Sequence, residues 1–310
     1  MLSQDKILKD GKLHIFLLGT GGPMGNALRA SPSIAVIAEE VFILFDVGSG
    51  SIRNADIMRL PLAHLSAIFL THFHSDHIGD LGEANMISWA NGRSKHLHIY
   101  GGKGVEKVVN GFIMAYELDT GYRIAHHNEE IMPPEASIPI VKTVELKSPE
   151  ERELIFERNG LEIYAFEVSH PPIEPAFGYR IEWKGNIVVI TGDTIKTANL
   201  VKHSRNADIL FSEAISFDML NNIVKGAKRL KLDRFVKILT DVQDYHMEPK
   251  IAAELAKEAA VKKLVIVHIV PPLQNEKADK MYLKGVEEIF DGEIIMGKDN
   301  MKFKLEPKNI

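Results

Sequence analysis

The densest group of potentially reactive side chains lies in residues 71–77, which read Thr-His-Phe-His-Ser-Asp-His. His72, His74, Asp76 and His77 offer four potential metal ligands within six residues. In an extended segment, side chains two positions apart point the same way, so His72 and His74 should face one centre. Asp76 and His77 are adjacent, and in a turning segment they point towards a second centre. The spacing therefore predicts a metal site and suits two neighbouring ions better than one.

Three further candidate ligands, His170, Asp193 and His268, lie within or directly after apolar runs that read as strands. Each has a simpler interpretation alone, because a core histidine or a turn aspartate is common. The neighbouring cluster favours metal binding for all three. The chain has no cysteine, which excludes disulfides, thiolate nucleophiles and iron–sulfur clusters. Any metal must therefore be held by histidine and carboxylate.

The elements that must position these residues are short runs rich in Val and Ile that alternate with helical patterns. This alternation predicts a layered α/β fold with mixed sheets in one domain, 1–310. The predicted strands are 13–18, 33–38, 41–46, 67–70, 97–100, 161–168, 178–183, 187–191, 209–212 and 264–270, and the predicted helices are 105–117, 216–239 and 249–260. Lys and Arg lie on one side of the segment 216–239. Residues 126–160 read as a surface excursion with one or two edge strands.

Composition sets outer limits on function. The chain has 310 residues, with 37 Lys and Arg against 42 Asp and Glu, a net charge of −5. This mild acidic excess argues against a protein that contacts nucleic acid over its whole surface, although it leaves room for a local basic groove. The sequence shows no apolar run of transmembrane length and no signal-peptide core in its polar first twelve residues. A cytoplasmic protein without membrane contact is expected.

The ligand pattern as a whole resembles the metallo-β-lactamase superfamily. The motif His-x-His-x-Asp-His is followed by a distant His, then Asp, then His, and the resemblance covers nearly the whole chain. Within the superfamily the chain resembles the ribonuclease Z and arylsulfatase-like branch, on the segments 177–182, 191–194, 212–214 and 244–246. The resemblance implies an αββα sandwich, with mixed β-sheets flanked by helices and a metal site at one sheet edge.

The resemblance also implies a role for each candidate. One ion would be bound by His72, His74 and His170, the other by Asp76, His77 and His268, and Asp193 would bridge the two. This ligand set suits zinc, and manganese or iron is compatible. Two such ions would share a hydroxide that is nucleophilic near neutral pH. His246 is expected to face the substrate and Glu213 to orient it. The catalytic residues implied are Asp76, Glu213 and His246.

The expected activity is that of a metal-dependent hydrolase of ester bonds, and three functions remain open. The favoured one acts on small molecules: phosphodiesters, sulfates, or carboxylic esters and lactones. The alternative is a tRNA 3′-processing endonuclease of the ribonuclease Z type, and a third is a non-hydrolytic metal-binding scaffold. Those tRNA enzymes carry a long arm between the strands at 178–183 and 187–191, whereas this chain has only a tight hairpin at 184–186. Nucleic acid is therefore not expected as a partner, and the resemblance allows a homodimer.

An insertion around residues 105–160 is expected to influence the size of the substrate. Its predicted helix carries Phe112 and Tyr116 on one face. These rings would either cap the active site and restrict it to compact substrates, or pack in the core, as periodicity alone favours.

Overall fold

The structure, a computed structural model, describes residues 4–308. Two seven-stranded sheets account for its strands. The first sheet has the order β14-β1-β2-β3-β4-β5-β6, with β1 Leu13–Gly19, β2 Ser33–Ala38, β3 Val41–Phe45, β4 Leu65–Phe69, β5 His98–Gly101, β6 Ile140–Thr143 and β14 Lys302–Leu305. The second has the order β13-β12-β11-β10-β9-β8-β7, with β7 Arg152–Arg158, β8 Leu161–His170, β9 Ile173–Trp183, β10 Asn186–Ile190, β11 Ile209–Ile215, β12 Lys263–Val270 and β13 Glu293–Met296.

Both sheets are mixed in the same way. In the first, β14 to β3 pair antiparallel and β3 to β6 pair parallel. In the second, β7 to β10 pair antiparallel and β10 to β13 pair parallel. Ligand sites in such folds form at the carboxyl ends of parallel strands, where loops diverge. Each sheet therefore offers one such edge.

Helices cover the outer face of each sheet. In chain order they are α1 Gln4–Lys9, α2 Ser51–Ile57, α3 Ser75–Ile78, α4 Leu81–Ala90, α5 Val105–His127, α6 Ala198–Ser204, α7 Phe217–Arg229, α8 Asp233–Asp241, α9 Pro249–Glu258 and α10 Glu276–Tyr282. Single 3₁₀ turns lie at Leu62–His64, Pro134–Ser137 and Val242–Asp244. Apolar side chains of α2, α4 and α5 pack on the first sheet, and those of α6, α9 and α10 pack on the second.

The main core lies between the two sheets. Phe45 and Phe69 of the first sheet meet Tyr179 of the second, with ring centroids 5.3–5.8 Å apart. Full burial of such a side chain stabilises the fold by about 1.5–3 kcal/mol. The Tyr179 hydroxyl also donates to the Leu70 carbonyl at 2.6 Å, which ties β9 to the end of β4. This contact holds the two ligand-bearing edges together.

These layers confirm the predicted αββα sandwich. The edge strands expected in residues 126–160 are β6 and β7, one at the edge of each sheet. β9 and β11 are longer than the predicted strands 178–183 and 209–212, and two predicted helices have different bounds. The helix predicted over 105–117 extends to His127, and the predicted 216–239 helix is divided into α7 and α8 by a turn in which Lys231 has a φ of 55°. No helix within residues 4–308 is long and apolar enough to span a bilayer.

Candidate metal centre

The segment that follows β4 brings the first four candidate ligands to the sheet edge. His74 is in extended conformation and α3 begins at Ser75, so the backbone turns between the two His-x-His residues and Asp76. His72, Asp76 and His77 are buried, whereas His74 is exposed at the surface of the site. The change from extended to helical backbone explains how one short segment presents ligands in two directions.

The second sheet supplies one residue from each of three strands or strand ends. His170 is the last residue of β8, Asp193 follows β10 by three residues, and His268 lies within β12. His268 has a φ of 49°, next to an irregularity in the β11–β12 pairing. A non-glycine residue in this left-handed region is unfavourable by about 1–3 kcal/mol, a cost typical of functional sites. All three side chains are buried.

These residues form two groups with the membership implied by the resemblance. In one, single ligand atoms of His72, His74, His170 and Asp193 all lie within 4.8 Å of one another; in the other, those of Asp76, His77 and His268 do so. Asp193 lies between them. Its Oδ2 is 3.1 Å from His268 Nε2, 3.3 Å from His77 Nε2, 3.8 Å from His72 Nε2 and 4.0 Å from His170 Nε2.

The donor atoms fit a pair of cations. Several buried side-chain atoms at this point have no hydrogen-bond partner within residues 4–308: Asp76 Oδ2, His77 Nε2, His170 Nε2, Asp193 Oδ1 and both ring nitrogens of His268. An unpaired buried polar atom costs about 1–3 kcal/mol, so such a concentration is unfavourable without a bound group. Histidine nitrogen and carboxylate oxygen are ligands for divalent transition metals.

The pKa values of the buried ligands show that the carboxylates favour positive charge beside them. Burial by itself raises the pKa of Asp193, but His268 and His77 hold it well below its ordinary value. Burial lowers the pKa of His268, yet the carboxylates of Asp193 and Asp76 raise it to about 10. Burial lowers the pKa of His170 to about 4, which leaves that ring neutral. Only a neutral imidazole binds a metal, so a cation in the second group would replace the proton that the carboxylates favour on His268, whereas His170 is already in the form that binds.

A second layer of hydrogen bonds orients the rings. His77 Nδ1 lies 2.8 Å from Asp46 Oδ2, and Asp46 also accepts from the Thr71 N–H and hydroxyl, each at 2.8 Å. His170 Nδ1 donates to the Tyr245 carbonyl at 3.1 Å. Both rings therefore present Nε2 to the centre. From the sequence, Asp46 was only the last residue of the predicted strand 41–46; its position directly after an apolar strand was the available signal.

His246 and Glu213 form a separate buried pair beside the centre. His246 Nδ1 lies 2.9 Å from Glu213 Oε1, and that oxygen also accepts from the Thr194 N–H at 3.0 Å. A carboxylate on Nδ1 selects the tautomer and leaves Nε2 free. The His246 ring stacks on His268 with centroids 5.4 Å apart. One of its nitrogens is also within 4.8 Å of ligand atoms of Asp193 and His268.

The structure thus brings together all nine residues singled out by the sequence. The rings of Phe112 and Tyr116 do not lie at this centre. Together with α4 and the turn at Pro134–Ser137, they line a cavity of about 440 Å³, and the Tyr116 ring covers Gly82. The turn at 101–104, which directly precedes the insertion, lies against the motif, since Gly101 and Gly104 both face the Phe73 ring.

The fold and this centre define a class of protein, and comparison with known proteins identifies it. The profile of the beta-lactamase superfamily domain matches residues 42–269. The chain belongs to that superfamily and is a metal-dependent hydrolase acting on ester bonds.

Individual relatives narrow the class. A ribonuclease Z from Mycobacterium bovis (strain BCG / Pasteur 1173P2) is 34% identical over 299 residues, which cover 96% of this chain and 99% of the relative. A ribonuclease Z from Mycolicibacterium gilvum (strain PYR-GCK) is 32% identical over 298 residues, covering 95% and 97%. The crystal structure of human tRNase Z, short form, superimposes with a TM-score of 0.66 at 23% identity, over 94% of this chain and 98% of that one.

Two expectations were wrong: that the substrate is a small-molecule ester and that no nucleic acid is a partner. The relatives that align over nearly the whole chain are named ribonuclease Z. Both arguments behind that expectation were too coarse. The strands β9 and β10 are indeed joined by a tight turn at Lys184 and Gly185, but a missing insertion removes only one possible contact. A net charge of −5 averages over the whole surface and says nothing about a local basic face.

Proposed function

We propose that this chain is a ribonuclease Z-type endonuclease that hydrolyses a phosphodiester bond at the 3′ end of precursor tRNA. The observation that carries the proposal is the near-complete alignment, at 32–34% identity, with proteins named ribonuclease Z. The two-group arrangement of ligands supports it, because paired metal sites are common in enzymes that cleave phosphodiesters.

The residues proposed to hold the two ions are His72, His74 and His170 for one and Asp76, His77 and His268 for the other, with Asp193 shared. Zinc is the ion we propose, since the set consists of nitrogen and oxygen ligands without thiolate. When bound, such ions polarise a phosphoryl oxygen and lower the pKa of water. Asp76 is proposed to act in catalysis as well, because its Oδ2 lies 3.4 Å from His268 Nε2 at the heart of the second group.

His246 is proposed to protonate the leaving ribose oxygen. Glu213 holds its Nδ1, so Nε2 is the nitrogen left to carry a proton towards the substrate. Glu213 acts through His246 and is therefore a positioning residue.

The domain organisation we propose is a single hydrolase domain over 1–310 with an insertion around 105–160. The turn at 101–104, directly before this insertion, borders the Phe73 ring and hence the motif. We propose that this turn, and not Phe112 or Tyr116, limits access to the centre.

The test is cleavage of a precursor tRNA that carries a 3′ extension. We expect one cut at the boundary between the mature tRNA and the extension, mapped by primer extension or mass spectrometry of the products. Asp193→Asn is the matched control, because it keeps the size of the side chain while removing the shared charge. Cleavage at scattered positions, or the same products from the control, would contradict the proposal.

A further inference from the structure

The helical hairpin formed by α7 and α8, residues 217–241, has a charge unlike that of the rest of the chain. It contains six Lys and Arg against three Asp, whereas the whole chain has 37 against 42. All six cationic side chains are exposed: Lys225, Lys228, Arg229, Lys231, Arg234 and Lys237. The tight β9–β10 turn leaves the enzyme without an arm there, so a basic surface elsewhere becomes the candidate for binding the body of the substrate.

Most of this positive charge is not used inside the protein. Lys237 pairs with Asp241 at 2.6 Å. For the other five cations, the ion pairs found within residues 4–308 include no carboxylate partner. An exposed cation with no internal partner keeps its full attraction for an external anion. Five such side chains within ten residues form a local basic face.

The packing of the hairpin explains why its charges point outward. α7 buries Leu220 and Val224, and α8 buries Leu239, in one small apolar cluster against Ile215 and Val270. The two helices also contact each other. Since one side of each helix is committed to this cluster, the cationic side chains occupy the opposite, solvent-facing side.

The base of the hairpin lies next to residues of the metal centre. At its start, the Ser216 N–H donates to the Val270 carbonyl at 2.8 Å, two residues after the ligand His268. At its end, the chain passes through the turn Val242–Asp244 to His246. The 13 residues of α7 then extend about 20 Å from this base. A substrate whose scissile bond lies at the centre can therefore contact the hairpin with a neighbouring part of its backbone.

We propose that the α7–α8 hairpin binds the phosphate backbone of the double-stranded stem next to the cleavage site, in place of the missing arm. This inference rests on the proposed function above. Double-stranded RNA is recognised mainly through phosphates and ribose hydroxyls, because side chains cannot read its narrow major groove. Exposed Lys and Arg on a rigid scaffold suit that kind of contact, and the binding is independent of sequence.

The exposed apolar residues of the hairpin suggest the competing partners that a test must separate. Leu230 is 72% exposed, and Leu232, Phe235 and Ile238 are partly exposed. A basic surface with such residues also attracts anionic membranes or a second protein copy. RNA is favoured because the hairpin leads along the chain to His246 and because the relatives are ribonucleases.

The experiment compares two variants with equal net charge. In the hairpin variant, Lys228, Arg229, Lys231 and Arg234 are changed to Gln. In the control variant, Lys95, Lys257, Lys277 and Lys284, which are exposed and lie outside the hairpin, are changed to Gln. Metal content and thermal unfolding verify that both proteins keep the fold and the centre. Binding to precursor tRNA is measured from 50 to 200 mM salt, and KM and kcat are measured for cleavage.

We expect the hairpin variant to bind at least about tenfold more weakly at low salt, with a salt slope smaller by about 2–4, since each phosphate contact contributes close to one unit. KM should rise while kcat at saturating RNA stays within about twofold of the unmodified enzyme. The control variant should match the unmodified protein in both measurements.

Equal RNA affinity for the two variants overturns the inference even if cleavage is correct. If the unmodified protein binds tRNA but cuts it nowhere near the 3′ boundary, the proposed function fails, and the comparison of the variants still decides the role of the hairpin. Loss of binding to anionic vesicles or of self-association in the hairpin variant, with RNA binding intact, assigns the surface to another partner and also overturns the inference.

Discussion

In the metal centre, charged and polar side chains converge on a buried point, whereas in the α7–α8 hairpin they diverge into solvent. Around Asp193, imidazole nitrogens lie 3.1–4.0 Å from one carboxylate oxygen. In the hairpin, five cations lack any ion pair within residues 4–308. Buried charge is valuable only when it is matched at short range, and exposed charge acts at longer range and is screened by salt. The first arrangement suits bond cleavage, and the second suits the capture of a large polyanion.

The largest effect should come from the carboxylate shared by the two ligand groups. We expect Asp193→Ala to reduce metal content from about two ions per chain to below about one, and to abolish cleavage, because both groups lose a ligand at once. His74→Ala, which removes an exposed ligand of one group only, is the control and should lose less metal. Elemental analysis after dialysis measures both. Equal metal content in the two variants would show that Asp193 is not shared. RNA binding through the hairpin should persist in either variant.

His246 should separate catalysis from metal binding. His246→Ala should keep both ions while turnover falls by about 10²–10⁴-fold, as expected for a general acid or oxyanion donor. Glu213→Gln should cause a smaller loss, and the double variant should be little worse than His246→Ala alone. Kinetics alongside metal analysis provide the measurement.

Loss of an ion from His246→Ala would instead place this residue among the ligands. That outcome has a structural basis, because a His246 nitrogen lies within 4.8 Å of ligand atoms of Asp193 and His268. Unchanged turnover with every RNA substrate would remove His246 from the mechanism.

The same contrast explains what could be predicted from the sequence. The four candidate ligands in 72–77 lie within six residues, so their spacing alone predicted a metal site. His170, Asp193 and His268 come from three separate strands or strand ends. The neighbouring cluster favoured metal binding for them, but only the family resemblance assigned each one to an ion before the fold was known. The role of Asp46 was harder to predict, because it is not a candidate ligand itself. It contacts His77, which lies 31 residues away in the sequence. Such second-layer roles depend on packing that no local pattern records.

For the hairpin, the sequence predicted the surface charge but not the backbone structure or the function. Its basic side was visible in the predicted 216–239 helix, but the break at Leu230–Leu232 was not, because it contains neither Gly nor Pro. The functional inference failed for a related reason: net charge was taken over the whole chain, although binding depends on where the charge lies. Short helices such as α2, α6 and α10 were also missed, since seven residues carry little periodic signal.

Smaller effects are expected for glycine substitutions, which compare how tightly the two regions are packed. The first is Gly192, at the metal centre. Gly192 precedes Asp193 and has a φ of 61°. A Cβ at this position would lie 2.7 Å from the Phe177 carbonyl oxygen and 3.0 Å from Thr71 Cβ. We expect Gly192→Ala to lower the free energy of unfolding by about 1–3 kcal/mol and to weaken metal binding, because strain and steric clash act together. Urea unfolding of the metal-free and metal-loaded protein checks this, and an unchanged midpoint would contradict it.

The smallest effect, and one of opposite sign, is expected for Gly226→Ala in the hairpin. Gly226 lies within α7, is exposed, and a Cβ built there meets no atom within 4 Å. Glycine in a helix interior is less favourable than alanine by about 0.8–1.0 kcal/mol, because it loses more backbone entropy on folding. The substitution should therefore raise the free energy of unfolding by up to that amount while leaving metal content unchanged. It adds no charge next to Lys225, so the affinity for precursor tRNA and its salt slope should also stay the same. A loss of stability would show that this part of α7 is not helical as described, whereas a loss of RNA affinity without a loss of stability would show that RNA packs against the helix surface itself and not only against its cations.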